Sequence, residues 1–328
     1  MFRRSSLSMI VLLASFSAPA DEADQYLAWG VELTDSSDVL DAFVTDVVWS
    51  VLNDANSRPD EDCDCVSLTF DIFAAIYRDR LYQPLLNYVE ESESVAVHPP
   101  RDVALSEILD LSLYRDVTFP FLIRVTRTLR VGEVYFGADK LAHLFGFGSR
   151  YYNIYLDRLE KGKTEAEAVE DAILWGVFLE NTILGTGING IFSYADLEAN
   201  YQGLRLARSF CEHSDSYLNY DGRRWVLTRP IHLAEYVTPG FDESFYANGY
   251  SDALFEKVRP VLAEVFNRKA DDPRVGERFD RYRQNPITHS MQVISAHQRT
   301  KGVEPPDLRI LEALGVTPED PRAPLVLR

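Results

Sequence analysis

Asp139 and His143 stand four residues apart with Lys140 beside them, so a carboxylate and an imidazole share one face of a helix next to an amine. Two further segments carry chemistry of the same kind. Glu180 falls in the apolar stripe Val169, Ile173, Gly176 and Leu184, where a carboxylate costs several kcal/mol unless it is paired or protonated. Asp196 and Asn200 repeat the four-residue spacing, with Gly203 one turn on. If three helices bring these groups together, one imidazole and the carboxylates of Asp139, Glu180 and Asp196 suit a divalent metal such as Zn, Mn or Fe, able to activate water. Without metal, Glu180 is the candidate general base, His143 its partner, and Lys140 the charge that stabilises a developing anion. Each residue also has a structural role open to it. Asp139 can cap its helix, Asp196 is the acidic member of a Ser193-x-x-Asp196 capping box, and Glu180 can pair with Lys140 or an arginine. Glu198 is expected to point to solvent.

The elements that must position these groups are mostly helical. Residues 139–159 read as one helix, with His143, Phe147 and Tyr151 along one aromatic row. Thr164-x-x-Glu167 is a capping box that opens a second helix to about residue 184. The third runs from Ser193 to about 210. Gly176, one turn before Glu180, would let another helix approach closely. Upstream, apolar residues at 39, 40, 43, 44, 47, 48, 51 and 52 predict a helix over 38–55. Residues 67–88 continue in helical style with Pro84 marking a kink or break, 102–113 suit a short helix, and 116–134 suit helix or extended chain. Residues 223–229 suggest a hairpin arm. Downstream, 252–266 predicts a helix broken or kinked at Pro260, followed by weaker helical patterns at 274–283 and 288–298. The fold expected is mainly α, an irregular helical bundle with a short β-hairpin. Residues 21–300 form one domain with its motif region at 137–211. Residues 301–328 are a Pro-rich tail, expected to be extended or loosely ordered.

Composition limits the partners. Lys plus Arg number 33 against 51 Asp plus Glu, a net charge of −18, which argues against a nucleic-acid binder. Hydrophobic residues make up 46% of the 328, enough for a sizeable core. Residues 1–20 read as a secretory leader: Arg3 and Arg4, an apolar run at 9–16, then Ala18-Pro19-Ala20 before Asp21. Its removal takes two arginines and leaves −20. No segment has the roughly 20 apolar residues of a membrane span. The expectation is an exported protein, periplasmic or secreted, in a bacterium. Export permits a disulfide, expected from Cys63 or Cys65 to Cys211. The acidic loop at 60–64 fails the EF-hand template, since Pro59 stands where the turn glycine belongs. Gly185-Thr-Gly-Ile-Asn-Gly190 lacks the P-loop ending, and there is no G-x-S-x-G elbow.

Asp139-Lys-Leu-Ala-His143, Gly176-Val-Phe-Leu-Glu180 and Asp196-Leu-Glu-Ala-Asn200-Tyr-Gln-Gly203 resemble the D-K-x-x-H, G-x-x-x-E and D-x-x-x-N-x-x-G blocks of VanZ-like proteins. They are similar also to a related group of small periplasmic proteins. The resemblance covers about a fifth of the chain and implies a role in the cell envelope, where VanZ-like proteins are linked with glycopeptide tolerance. That family places these blocks on membrane helices; here the helices are too charged and too short in apolar run. Asn181-Thr-Ile183 also stands where the family often has Gln.

Three functions follow as alternatives. The first is a hydrolase acting on an envelope lipid or cell-wall component, the second a noncatalytic envelope protein with an internal polar network, the third a metal-binding protein. Two smaller features stand apart. Phe241, Phe245, Tyr246 and Tyr250 suit either packing or contact with a partner, and Trp225 among Arg223, Arg224 and Arg229 suits either a hairpin or an anionic ligand.

Overall fold

In helix α1 (Ser37–Asn56), Leu40, Val44, Val48 and Leu52 recur every fourth residue and are all buried, as the stripe at 38–55 requires. The computed structural model describes residues 20–325 apart from 59–62, 80, 119, 183–184, 188, 213 and 304–307. All but the last residue of the expected leader, the acids at 60–62 and Leu184 of the Glu180 stripe lie outside the described residues. The chain is mainly α, an irregular bundle with short strands. No described helix is long and apolar enough to cross a membrane.

The helical stretch expected over 67–88 is broken, one of the two outcomes expected at Pro84, into α2 (Cys65–Ile76) and α3 (Pro84–Glu91). Pro84 sits at the first helical position of α3, where its missing N–H costs nothing, so it starts a helix. The expected helix at 102–113 forms as α4 (Leu105–Leu111). Strand β1 (Ala20–Glu22) pairs in parallel with β3 (Ile123–Val125). β2 (Val97–His98), β4 (Thr128–Val131) and β5 (Val134–Gly137) form an antiparallel sheet, so the ambiguous 116–134 segment forms short strands joined by turns and no helix among its described residues. The motif region follows directly from β5.

The helix expected over 139–159 is continuous but not uniform. α5 (Asp139–Ala142) passes through a π-helical turn at His143–Phe147 into α6 (Gly148–Glu160). α7 (Glu165–Glu180) opens on the Thr164–Glu167 capping box: the Glu167 N–H donates to Thr164 Oγ1, and the Thr164 N–H to Glu167 Oε2. β6 (Ile191–Phe192) leads into α8 (Tyr194–Cys211). The Cys65–Cys211 disulfide joins the start of α2 to the end of α8, with Cα atoms 5.8 Å apart. Cys65, not Cys63, is therefore the partner.

The hairpin β7 (Leu218–Tyr220) and β8 (Trp225–Leu227) docks on the end of α1. Asn56 takes the Trp225 N–H and donates to the Trp225 carbonyl, at 2.8 and 3.0 Å. That contact fits the packing reading of Trp225. Phe241, Phe245, Tyr246 and Tyr250 are all buried, which removes the partner-contact reading. β9 (Gly249–Tyr250) pairs with β6. α9 (Asp252–Lys269) runs through Pro260 without a break, followed by α10 (Pro273–Arg283) and α11 (His289–Thr300). The tail also departs from expectation. α12 (Arg309–Leu314) buries Ile310, Leu311 and Leu314, and the Leu325 N–H donates to the Phe245 carbonyl, so these residues complete the core.

Glycines explain how the motif helices come so close. A Cβ on Gly203 would stand 1.9 Å from the Leu144 carbonyl oxygen, and one on Gly148 would stand 2.6 Å from the Gly203 Cα. Both obstacles are backbone on the facing helix, so neither can rotate away. Gly203→Ala should cost about 1–3 kcal/mol, read as a lowered urea midpoint with an unchanged slope; an unchanged midpoint would show that α6 and α8 are free to part. Likewise, a Cβ on Gly176 would strike the Tyr151 hydroxyl at 1.7 Å, which gives that glycine the close-approach role its position suggested.

Candidate functional site

Lys140 enters the core at the first turn after β5 and is completely buried. Its ammonium donates to Asp139 Oδ2 at 2.6 Å, Asp196 Oδ1 at 2.5 Å and Glu243 Oε1 at 2.5 Å. Three carboxylates thus share one cation, which uses all three of its N–H bonds. Each carboxylate has further support. Thr126 donates to Asp139 Oδ1 at 2.8 Å, and Asn248 to Glu243 Oε2 at 2.9 Å. The Ser193 hydroxyl donates to Glu243 Oε1 at 3.3 Å while accepting the Asp196 N–H.

His143 carries the cluster toward solvent. Its Nε2 lies 3.3 Å from Asp196 Oδ2, and its Nδ1 lies 3.0 Å from Asn200 Oδ1. Its side chain is 16% exposed, against 0% for Lys140. Both ring nitrogens face side-chain oxygens in this arrangement, so the ring is held from two sides. The ring stacks on Phe147 at 5.0 Å, as the aromatic row suggested, and the π-helical turn sets it there.

Glu180 is buried, as its place in the apolar stripe required, but it does not pair with Lys140. Its Oε1 accepts the Ser193 N–H at 3.0 Å, so Ser193 joins Glu180 to Glu243. The Gly-rich loop folds over it: a Cβ on Gly185 would stand 2.2 Å from the Glu180 carbonyl and 2.6 Å from Oε1. Asp196 takes no part in a reciprocal capping box, because Ser193's N–H is committed to Glu180 and Asp196's carboxylate to Lys140 and His143. Glu198, expected in solvent, is fully buried. It accepts from Gln202 and Thr238 on one oxygen and from Thr288 and Ser290 on the other.

Two acidic members were missed. Glu243 lies in Phe241-Asp-Glu-Ser-Phe245, and acids between two core aromatics are the signal that could have found it. Glu22 gave no such signal. Strand β1 turns it inward, where it is buried and lies 3.5 Å from Asn189 Nδ2.

Carboxylates outnumber cations here, and their protonation reflects that. Burial pushes the Glu180 carboxyl up to about 8, reinforced by the charge of Asp196. Burial raises Glu243 to about 7; Lys140 opposes the rise, Asp139 and Asp196 add to it. Glu22 is raised well above the usual range by burial, then by Asp196 and Glu243. Asp196 goes the other way. Burial pushes it up, but His143 and Lys140 outweigh that and hold it below the ordinary value. Burial alone would depress Lys140; Asp139, Asp196, Glu243 and Glu22 together keep it charged.

Asp139, His143 and Asp196 offer ligand atoms within 4.8 Å of one another, so three of the four expected metal ligands do converge. Glu180 is not in that group. The Lys140 ammonium is already bonded to two of the three, and supplies there the positive charge a divalent ion would bring. The donor set is therefore better matched to a lysine than to a metal. Two expected roles also change. Glu180 holds its proton at neutral pH and suits an acid, not a base. Lys140 is buried with all its donors used, so it positions carboxylates and does not reach a substrate.

No protein-family model, characterised protein or solved structure matches this chain.

Proposed function

We propose that the protein is an exported cell-envelope hydrolase, acting on an envelope lipid or cell-wall component through Asp196 and His143. What carries this reading is a partly exposed imidazole bound to a carboxylate that is held ionised, beside carboxyls that keep their protons at neutral pH. Neighbouring titratable groups driven apart in pKa are how acid and base are assigned within one site. In this proposal Nε2 of His143 leaves its 3.3 Å contact with Asp196 to give a proton to the leaving oxygen, and the freed Asp196 Oδ2 takes one from the attacking water. Asn200 orients the ring, Lys140 fixes Asp196 in place, and Glu180 is a proton reserve. The resemblance of the three blocks to VanZ-like proteins supports the envelope setting.

Purified protein incubated with phospholipid and with peptidoglycan, its products read by mass spectrometry, tests the reading. Hydrolysis should be lost by 100-fold or more, on the order expected for an acid–base group, in His143→Asn, with its melting curve retained. Absence of product from both substrates would sink it. The noncatalytic reading has its own support in the burial and full pairing of Lys140; it expects no product and substitutions that change stability alone. The metal reading is tested by elemental analysis, in which a stoichiometric ion lost from His143→Ala would revive it.

A further inference from the structure

His143, Phe147 and Arg150 form a column on one face of the motif helix. The His143 and Phe147 rings stack 5.0 Å apart at 12°, and the Arg150 guanidinium carbon lies 4.7 Å from the Phe147 centroid. These two distances put that guanidinium within about 10 Å of the imidazole. Arg150 is exposed, and among the described residues no carboxylate lies within ion-pair distance of it, in a chain of net charge −18.

The turn between α2 and α3 stands beside this column. The Tyr77 ring lies 2.7 Å from where a Cβ on Gly146 would be, which seats the turn against the π-helical segment. At its tip Leu81 is 97% exposed and Tyr82 is 43% exposed. The Arg78 guanidinium lies 4.9 Å over the Tyr82 ring and pairs with Asp79, which also accepts the Leu81 N–H, so Arg150 is the cation here without an acidic partner among the described residues. An aliphatic side chain held wholly in water beside an exposed aromatic and arginines is the composition of a surface that enters a lipid–water boundary.

We propose that this tip docks on a bilayer of anionic phospholipid, with Arg150 taking a headgroup phosphate and Leu81 entering the acyl boundary. The proposal rests on the hydrolase reading, and makes the substrate an anionic lipid. Charge argues for it twice. The uncompensated Arg150 attracts the headgroup, Asp79 at the tip is offset by Arg78, and the net negative charge of the rest of the chain is repelled, which restricts contact to this tip and turns His143 toward the headgroups.

The test is flotation of the full chain with phosphatidylglycerol vesicles and with phosphatidylcholine vesicles. Binding to phosphatidylglycerol should exceed binding to phosphatidylcholine. Arg150→Ala should weaken it about fivefold and Leu81→Ser about tenfold; both side chains are exposed, so the fold should persist. Equal binding to the two lipids, no binding, or unaltered binding in both variants would each overturn the proposal. Displacement by excess inorganic phosphate would also overturn it, since the site would then serve free phosphate. His143→Asn should float like the unaltered protein. Docking without turnover would thus count against the hydrolase reading alone, and turnover without docking against this one.

Discussion

Lys140→Met should destabilise the protein by roughly 3–5 kcal/mol, the largest effect expected of any single substitution in the cluster. Methionine fills much of the lysine's volume, so the loss would not be a cavity effect. It would arise because Asp139 Oδ2, Asp196 Oδ1 and Glu243 Oε1 now converge within 2.6 Å of the ammonium, and would face one another without it. Domains have about 5–15 kcal/mol in all, so the variant should be close to unfolding at neutral pH. Acid should rescue it in part, because protons can replace the missing cation on the carboxylates. Urea denaturation at pH 5 and pH 8 would check this, the deficit being larger at pH 8. Adding Glu243→Gln should recover part of the loss, as a double-mutant cycle would reveal. A deficit that neither acid nor Glu243→Gln relieves would mean that packing, not charge, holds Lys140 in place.

The second large effect is on pH dependence. The folded Glu180 holds its proton up to about pH 8, while an ordinary glutamate loses it near 4.5. The folded state therefore binds the extra proton between these values, and stability must fall as pH rises. Its contribution is fully present below pH 4.5 and is lost as pH rises through 8, a change on the order of 5 kcal/mol. Glu243, raised to about 7, has the same sign over a narrower window. Asp196 has the opposite sign. Its folded value is depressed, so its contribution is present above the usual 3.8 and is lost as pH falls through the lower folded value. Stability should peak near pH 4–5, on the acid side of neutral, unlike most domains. Glu180→Gln keeps the oxygen that accepts the Ser193 N–H, at 3.0 Å in the parent, and carries no charge at any pH. It should flatten the decline between pH 5 and 8 and be the more stable protein at pH 9. Parallel curves for the two proteins would show that Glu180 is not the buried proton carrier.

Local patterns were legible in the sequence where one stretch of chain decides the outcome. Leu40, Val44, Val48 and Leu52 share a helix face whatever packs on it, and Thr164 with Glu167 closes its box within one turn. The four-residue spacing placed His143 over Phe147 and put Asp196 and Asn200 on one face. The burial of Glu180 followed from its apolar neighbours.

What the spacing could not disclose was the partner of each charge. Lys140 pairs with Glu243, 103 residues away, and Glu198 is buried by Thr288 and Ser290 at the start of α11, 90 and 92 positions downstream. Glu22 joins the cluster only because β1 pairs with β3. A charged side chain's protonation depends on its distance to other charges and on the loss of water around it, and both are properties of the folded chain. The local pattern alone therefore determined that Asp139, Lys140, His143, Glu180, Asp196 and Asn200 lie on helices with the spacing to meet. Only the tertiary structure decided that the lysine would stand where a metal was expected, that Glu180 would hold its proton, and that the imidazole of His143 would be the member of the cluster turned toward solvent.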